Sequence, residues 1–255
     1  MSNPFSYENK RVVVTGGATG VGAGLLEVLA EQDVAHVTVL DLKEPTVPHS
    51  TFMQCDLSDQ VAVVAAIAAI DGPVNVLFNN AGVADTLPPA TVISVNYLAL
   101  RALSEGLLPK IPEGGAIVNT ASIAATTGGA GPIVYRAAKA AVVQFSKSAA
   151  IDLAPHNIRV NCIAPGHIPT GITNYDLGAV IQTMQPLQRH GTPADVAEAV
   201  LYLVSDRSAQ ITGIVMPIDG GTSAGPPVTQ LRDLMRGVKA AKEKAEQKAA
   251  EGGTR

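Results

Sequence analysis

The sequence predicts an α/β fold, a single doubly wound parallel sheet of about seven strands with helices on both faces. Three observations predict it. Short apolar runs rich in Val, Ile and Leu recur along the chain, each bounded by Gly, Pro, Asn or Asp, and most are followed by a stretch with helical period. Units of strand, helix and strand leave this alternation. The first run ends in a glycine-rich turn, Thr15-Gly16-Gly17-Ala18-Thr19-Gly20-Val21-Gly22, after which Leu25, Leu26 and Leu29 begin a helical stripe. The second ends in an acid, Asp41, about 20 residues further on, and that spacing makes the sheet Rossmann-type.

In order, residues 11–15 are the first strand and residues 36–41 the second. Glycines in the intervening turn let backbone approach a ligand closely, and the helix N-terminus behind them favours an anion. A carboxylate at Asp41 accepts hydrogen bonds from ribose hydroxyls and repels a 2′-phosphate, which favours NAD over NADP. Pro45 and Pro48 argue against a full crossover helix over 43–50. The third strand is expected over 51–55, before Asp56-Leu57, with Ser58 as the N-cap of a helix reaching about Ile70. Residues 74–78 are the fourth strand, followed by Asn79-Asn80-Ala81-Gly82, where small residues leave room for a ribose or neighbouring backbone. A helix is expected from residue 91 to about 108, stopped by Pro109, with Asn96 inside it as a satisfied buried amide. Residues 115–122 form the fifth strand, 131–153 a long helix, and 158–163 the sixth strand, which runs on to Pro165-Gly166. The stretch 166–191 is punctuated by Gly and Pro and carries Ile168, Ile172, Leu177, Ile181 and Met184; it reads as a mobile apolar lid over a pocket. A helix over 193–205 and a strand with its turn over 214–221 complete the sheet.

Composition bounds the function. At 255 residues and 47% hydrophobic, the chain suits one large domain, residues 1–228, with the lid inside it. Residues 229–251 carry six Lys or Arg and four acids, so 229–255 is expected to be a charged helical extension with a solvated face. A net charge of −4 without a basic stripe argues against nucleic acid. No apolar run reaches spanning length and the polar N-terminus has no signal-like core, which argues against a membrane and for the cytoplasm. Cys55 and Cys162 lie far apart in strand-like runs and read as buried thiols; no metal site is expected.

The chemistry centres on Tyr135-Arg136-Ala137-Ala138-Lys139. Residues four apart share a helix face, so the phenol and the ammonium point the same way. A nearby cation favours the phenolate, and Lys139 is therefore expected to lower the Tyr135 pKa and make it an acid/base. Ser122, at the C-terminal end of a strand where open α/β sheets bind ligands, is placed to hydrogen-bond a carbonyl oxygen.

Over residues from about 10 to 222 the chain resembles the short-chain dehydrogenase/reductase family. The likeness rests on Thr15-Gly-x-x-x-Gly20-x-Gly22, Asp41, Asp56-Leu57, Asn79-Asn80-Ala81-Gly82, Asn96, Ser122, Tyr135-x-x-x-Lys139 and Pro165-Gly166. It implies a catalytic tetrad of Asn96, Ser122, Tyr135 and Lys139, with Lys139 also holding the nicotinamide ribose and Asn96 propping a relay water. It also implies a nicotinamide cofactor, with Asp56 and Leu57 beside the adenine and Thr170 near the carboxamide. The expected cofactor set is Gly16, Thr19, Gly20, Val21, Gly22, Asp41, Leu42, Asp56, Leu57, Asn80, Ala81, Gly82, Tyr135, Lys139, Pro165, Gly166, Ile168 and Thr170. Loops 41–56 and 82–96 are shorter than in most members, which is similar to the 3α-hydroxysteroid dehydrogenase/carbonyl reductase branch. The resemblance then implies an NAD-dependent interconversion of an apolar, steroid-like secondary alcohol and its ketone by a homo-oligomer, dimer or tetramer. Two other readings compete: a nucleotide-binding regulator or scaffold without chemistry, and an enoyl reductase. The Tyr/Lys pair argues against the first. The family's enoyl reductases space Tyr and Lys more widely than four, which argues against the second.

Overall fold

Arg11–Thr15 forms β1, its valines buried on both faces, and it pairs in parallel with β2, His36–Asp41, on one side and β4, Val76–Asn79, on the other. The computed structural model describes residues 7–128, 131–170, 178, 181, 184–225 and 227–252. Thr51–Gln54 is β3, Ala116–Thr120 β5, Arg159–Pro165 β6 and Val215–Ile218 β7, and the seven parallel strands run in the order β3-β2-β1-β4-β5-β6-β7. The order reverses between β1 and β4, which opens a crevice at their C-terminal ends. Strands β1, β2 and β4 to β6 are largely buried, whereas β3 and β7 are the half-exposed edges. Pro217, which has no N–H to give a ladder, is tolerated because β7 is an edge.

Alternation of side chains along each strand feeds two cores. Val12, Val14, Val39, Phe78 and Val118 meet Leu25, Leu26 and Leu29 of α1, Gly20–Ala30. The same layer includes Val196, Val200 and Leu203 of the helix Pro193–Val204. On the opposite face Val13, Leu40, Leu77, Ile117 and Val160 meet Val63 and Ala66 of α2, Gln60–Ala69, with Leu103 of α4, Ala99–Gly106, and Ala150 of α5, Ile133–Leu153. Each fully buried Leu or Val of this kind contributes about 1.5–3 kcal/mol over leaving it in water. No helix forms between β2 and β3, in keeping with Pro45 and Pro48. Both cysteines are free and buried.

Three local expectations change. The cap of α2 is Asp59, whose carboxylate accepts the Val61 N–H at 2.8 Å; Ser58 instead gives its N–H and hydroxyl to Asp56 Oδ1 at 2.8 and 2.7 Å. A serine already spent in that turn leaves the cap to the next acceptor. The expected helix over 91–108 is broken into α3, Pro89–Ile93, a π-helical turn over Ser94–Leu98, and α4, with Pro109 inside a short 3-10 turn, Leu108–Lys110. The wide turn falls at Asn96, whose side chain is bound to a distant backbone, as described below. Third, Ile181 of the expected lid is buried as deeply as core residues, whereas Met184 is exposed. The apolar stripe therefore does not lie free of packing along its length, and an acid at Ile181 is expected to cost stability. Gly171, Ile172 and Leu177 lie outside the described residues.

The sequence reading divides the chain after residue 228; in space it forms two compact units, Met1–Tyr175 with Gly191–Asp219, and Asp176–His190 with Gly220–Arg255. The second contains the helix Val228–Gly252, which we number α7, Pro193–Val204 being α6. Leu231, Leu234, Met235 and Val238 are exposed on α7, beside pairs such as Lys239–Glu243 and Lys242–Glu246 that contribute little in water. Among the described residues no helix is long and apolar enough to cross a membrane.

Candidate active site

The crevice at the switch point is braced by polar side chains rather than by apolar contact. Thr15, 2% exposed at the end of β1, accepts the N–H groups of Asn80 and Ala81 on its hydroxyl at 3.0 and 3.1 Å. Asn80 returns the bond, its amide donating to Gly16 O at 2.9 Å. Behind it runs a buried chain in which the Asn79 amide donates to Ser104 Oγ and Asn119 Oδ1, and the Asn119 amide to Ser146 Oγ, all at 2.9–3.0 Å. It ties α4, β4, β5 and α5 together. Thr15 heads the glycine motif in the sequence, but Asn119 and Ser146 carry no such signal; isolated hydroxyls and amides in apolar runs gain a role only once the strands are aligned.

The glycine turn is as tight as its composition implies. Gly16 and Gly20 have φ of 69° and 58°, in the left-handed region that favours glycine. A Cβ on Gly22 would lie 2.0 Å from Gly16 O and 2.7 Å from the Asn80 amide nitrogen, and one on Gly16 2.7 Å from the Ala81 Cα. Thr19 caps α1 without a side-chain bond, no acid occupies the first turn, and Thr170 sits against Gly20. Asp41 Oδ2 accepts the Ala18 N–H of this turn at 2.9 Å, so the carboxylate stands beside the loop. A bare backbone cradle, free first-turn N–H groups and one flanking carboxylate fit a dinucleotide.

The other expected cofactor residues divide. Val21 is half-buried at the head of α1, Leu42 is exposed just past β2, and Asp56 is exposed, its carboxyl held below the usual range by the two Ser58 hydrogen bonds. Pro165 ends β6, and Gly166 just beyond it packs against Asp219. Leu57 and Ile168 send their side chains into the cores, each only 7% exposed. An apolar side chain next to the sheet gains more from the core than from the crevice rim, which periodicity alone does not reveal.

Three of the four catalytic candidates converge. Ser122 caps a 3-10 turn in which its hydroxyl oxygen accepts the Ala124 N–H at 3.2 Å, and its proton remains available to the neighbouring Tyr135 phenol, whose ionised form it favours. Lys139, 2% exposed, donates to Thr120 O at 2.7 Å with its nitrogen 5.8 Å from the Tyr135 ring centre. Asn96 stands one step back. Its carboxamide clasps both backbone groups of Val83, accepting the N–H at 3.1 Å and donating to the C=O at 2.9 Å. Gly82 lies between Asn96 Oδ1 and Lys139 Nζ, which a Cβ there would approach to 2.9 and 3.4 Å.

The electrostatics correct one expectation. Burial pushes the Tyr135 phenol above its ordinary value, and the group that pulls it back is Ser122, not Lys139. Lys139 is itself pushed down to about 8 by burial, so near that pH it lends only part of a charge. The folded chain thus holds this proton less tightly than the unfolded chain, whose lysine titrates near 10.5. Stability should rise with pH above about 8, by up to ~1.4 kcal/mol per unit, because there the unfolded state binds more protons. Below that both forms are charged and the contribution is flat. Urea unfolding of wild type and Lys139→Met from pH 7 to 10 measures it; parallel curves would show that Lys139 does not titrate there.

A glycine cradle at the switch point of a seven-stranded parallel sheet, together with a Tyr/Lys pair one helical turn apart on α5, defines a nucleotide-dependent oxidoreductase. The chain belongs to the short-chain dehydrogenase/reductase family: residues 17–223 match the family model described as Enoyl-(Acyl carrier protein) reductase. It is 35% identical over 240 residues to the 3-oxoacyl-[acyl-carrier-protein] reductase FabG of Chlamydia muridarum, covering 84% of this chain and 97% of the relative. It is 31% identical to the cis-4-hydroxycyclohexanecarboxylate dehydrogenase of Sinomonas cyclohexanicum, covering 86% and 98%. Among solved structures, 4-hydroxyisoleucine dehydrogenase complexed with NADH superposes with a TM-score of 0.78 at 30% identity, covering 85% of this chain and all of that one.

Proposed function

We propose that the protein interconverts a secondary alcohol and a ketone on an apolar carbon skeleton, steroids included in the class, with NAD(H) as cofactor. The observation that carries the reading is the Ser122–Tyr135–Lys139 cluster at the C-terminal ends of the strands. In the oxidising direction Tyr135, as phenolate, takes the hydroxyl proton, and in the reducing direction it returns one to the carbonyl oxygen. Ser122, its oxygen already held by Ala124, donates to the developing carbonyl oxygen, and Lys139, anchored on Thr120, balances the phenolate charge. A nicotinamide dinucleotide held by its phosphates on the glycine cradle would supply the hydride acceptor or donor. Asn96, through Val83 and Gly82, positions the wall beside Lys139.

Substrate class rests on the sequence of the lid and on relatives whose names describe oxo or hydroxy groups on carbon skeletons. A second reading, reduction of 3-oxoacyl chains, is favoured by the 35% identity to FabG. Enoyl reduction is disfavoured by the four-residue spacing of Tyr135 and Lys139, although the matched family model carries that description. A panel of a steroid alcohol, a substituted cyclohexanol, an acetoacetyl thioester and a crotonyl thioester, followed by NADH absorbance, separates these readings. Turnover confined to a small charged substrate would remove the apolar assignment. A cytoplasmic homo-oligomer, dimer or tetramer, belongs to the same reading and is taken from the family likeness.

Cofactor choice is tested at Asp41. Its carboxylate stands where a 2′-phosphate would meet repulsion, so Asp41→Ala should weaken NAD use by about tenfold or more and relax discrimination against NADP. Comparing kcat/KM for the two cofactors in both proteins decides it, and a wild-type preference for NADP would sink the assignment.

A further inference from the structure

We propose that Asp85 is a positioning residue that sets where the Tyr135 helix begins and so where the phenol stands; the inference rests on the catalytic reading above. Helix α5 starts behind Pro132, which has no side-chain acceptor to offer its first turn. The orphan N–H groups of that turn are met from 50 residues away. Asp85 Oδ1 accepts the Tyr135 N–H at 2.7 Å and Oδ2 the Val134 N–H at 3.1 Å. A carboxylate at this place does the work of an N-cap and faces the positive end of the helix. Because Tyr135 supplies one of the two donors, its backbone is held directly.

The loop that brings Asp85 there is itself anchored. Two residues earlier, Val83 is gripped at both backbone groups by Asn96, and Gly82 adjoins Lys139 Nζ. Asn96, Val83 and Asp85 thus make one strap from the π-helical turn to the first turn of α5, passing the lysine on its way. Without the carboxylate the first turn of α5 has unmatched donors and frays, and Tyr135 leaves the burial and the Ser122 contact that define its environment.

The test reads the phenol without needing a substrate. Tyr135 ionisation is isolated as the ultraviolet titration difference between each protein and the same protein carrying Tyr135→Phe, for wild type, Asp85→Ala and Asp85→Asn. Amide hydrogen exchange at Val134 and Tyr135 is followed in parallel, and NADH binding by fluorescence. Asp85→Ala should move the ionisation back toward the ordinary tyrosine value by about half a unit or more, with exchange at both amides at least about tenfold faster and NADH affinity within about twofold. Asp85→Asn keeps one acceptor oxygen, enough for the shorter bond from the Tyr135 N–H, and loses the charge and the second acceptor, so it should retain the wild-type ionisation and slow exchange at Tyr135. An unchanged ionisation in Asp85→Ala overturns the inference. So does an Asp85→Asn protein whose ionisation moves as in Asp85→Ala, since charge and not position would then govern the phenol; this arm decides the matter even where Asp85→Ala does not fold. Neither result bears on whether Tyr135 is the acid/base, which turnover of Tyr135→Phe reads separately.

Discussion

Tyr135→Phe is expected to lower kcat by about 10²–10⁴-fold, the range that a positioned acid/base contributes, while NADH affinity stays close to wild type. The substitution removes one oxygen from a ring that is partly buried and leaves the helix, the glycine cradle and Lys139 where they are. Its structural cost is the loss of the phenol's polar contact with Ser122, on the order of 1 kcal/mol or less. Rate and binding should therefore separate cleanly. Lys139→Ala should not separate them, because the lysine adjoins both the phenol and the wall formed by Gly82. Single-turnover rates and equilibrium NADH binding on both variants provide the comparison. A Tyr135→Phe enzyme with near wild-type kcat would remove the acid/base assignment.

Gly22→Ala should be almost as damaging, by a different route. An added methyl would stand 2.0 Å from Gly16 O, a backbone atom in a turn that cannot retreat because Asn80 holds that same oxygen and Gly16 already abuts Ala81. Something must move, and every candidate is part of the cradle. Overpacking of this kind costs about 1–3 kcal/mol in stability. If the same displacement is charged to the bound state, dinucleotide affinity falls by about 10–100-fold. The expected pattern is a lowered Tm together with a lost NADH fluorescence response, with the Tyr135 ionisation little changed. Retained affinity would mean that the dinucleotide does not lie on this turn. Gly17, whose added methyl would meet the Val39 side chain rather than backbone, serves as the milder comparison.

The sequence by itself determined whatever depends on neighbours a few residues apart. Strands β1 and β2 stand where their β-branched runs place them, the Gly16–Gly22 turn joins strand to helix, and Tyr135 and Lys139 share one face of α5. Period, turn chemistry and helical spacing are local, so they are written in consecutive residues. Tertiary structure alone decided the rest. It gave the α2 cap to Asp59, placed a π-helical turn at Asn96, where the side chain is bound to Val83, and buried Leu57, Ile168 and Ile181. It also put Asp85 on the Tyr135 N–H and buried Lys139 deeply enough to weaken its own hold on a proton. Each of these depends on groups brought together from distant parts of the chain, and on how much water the closed fold excludes. No spacing along the chain encodes either quantity; both exist only once the sheet has closed and its faces are covered.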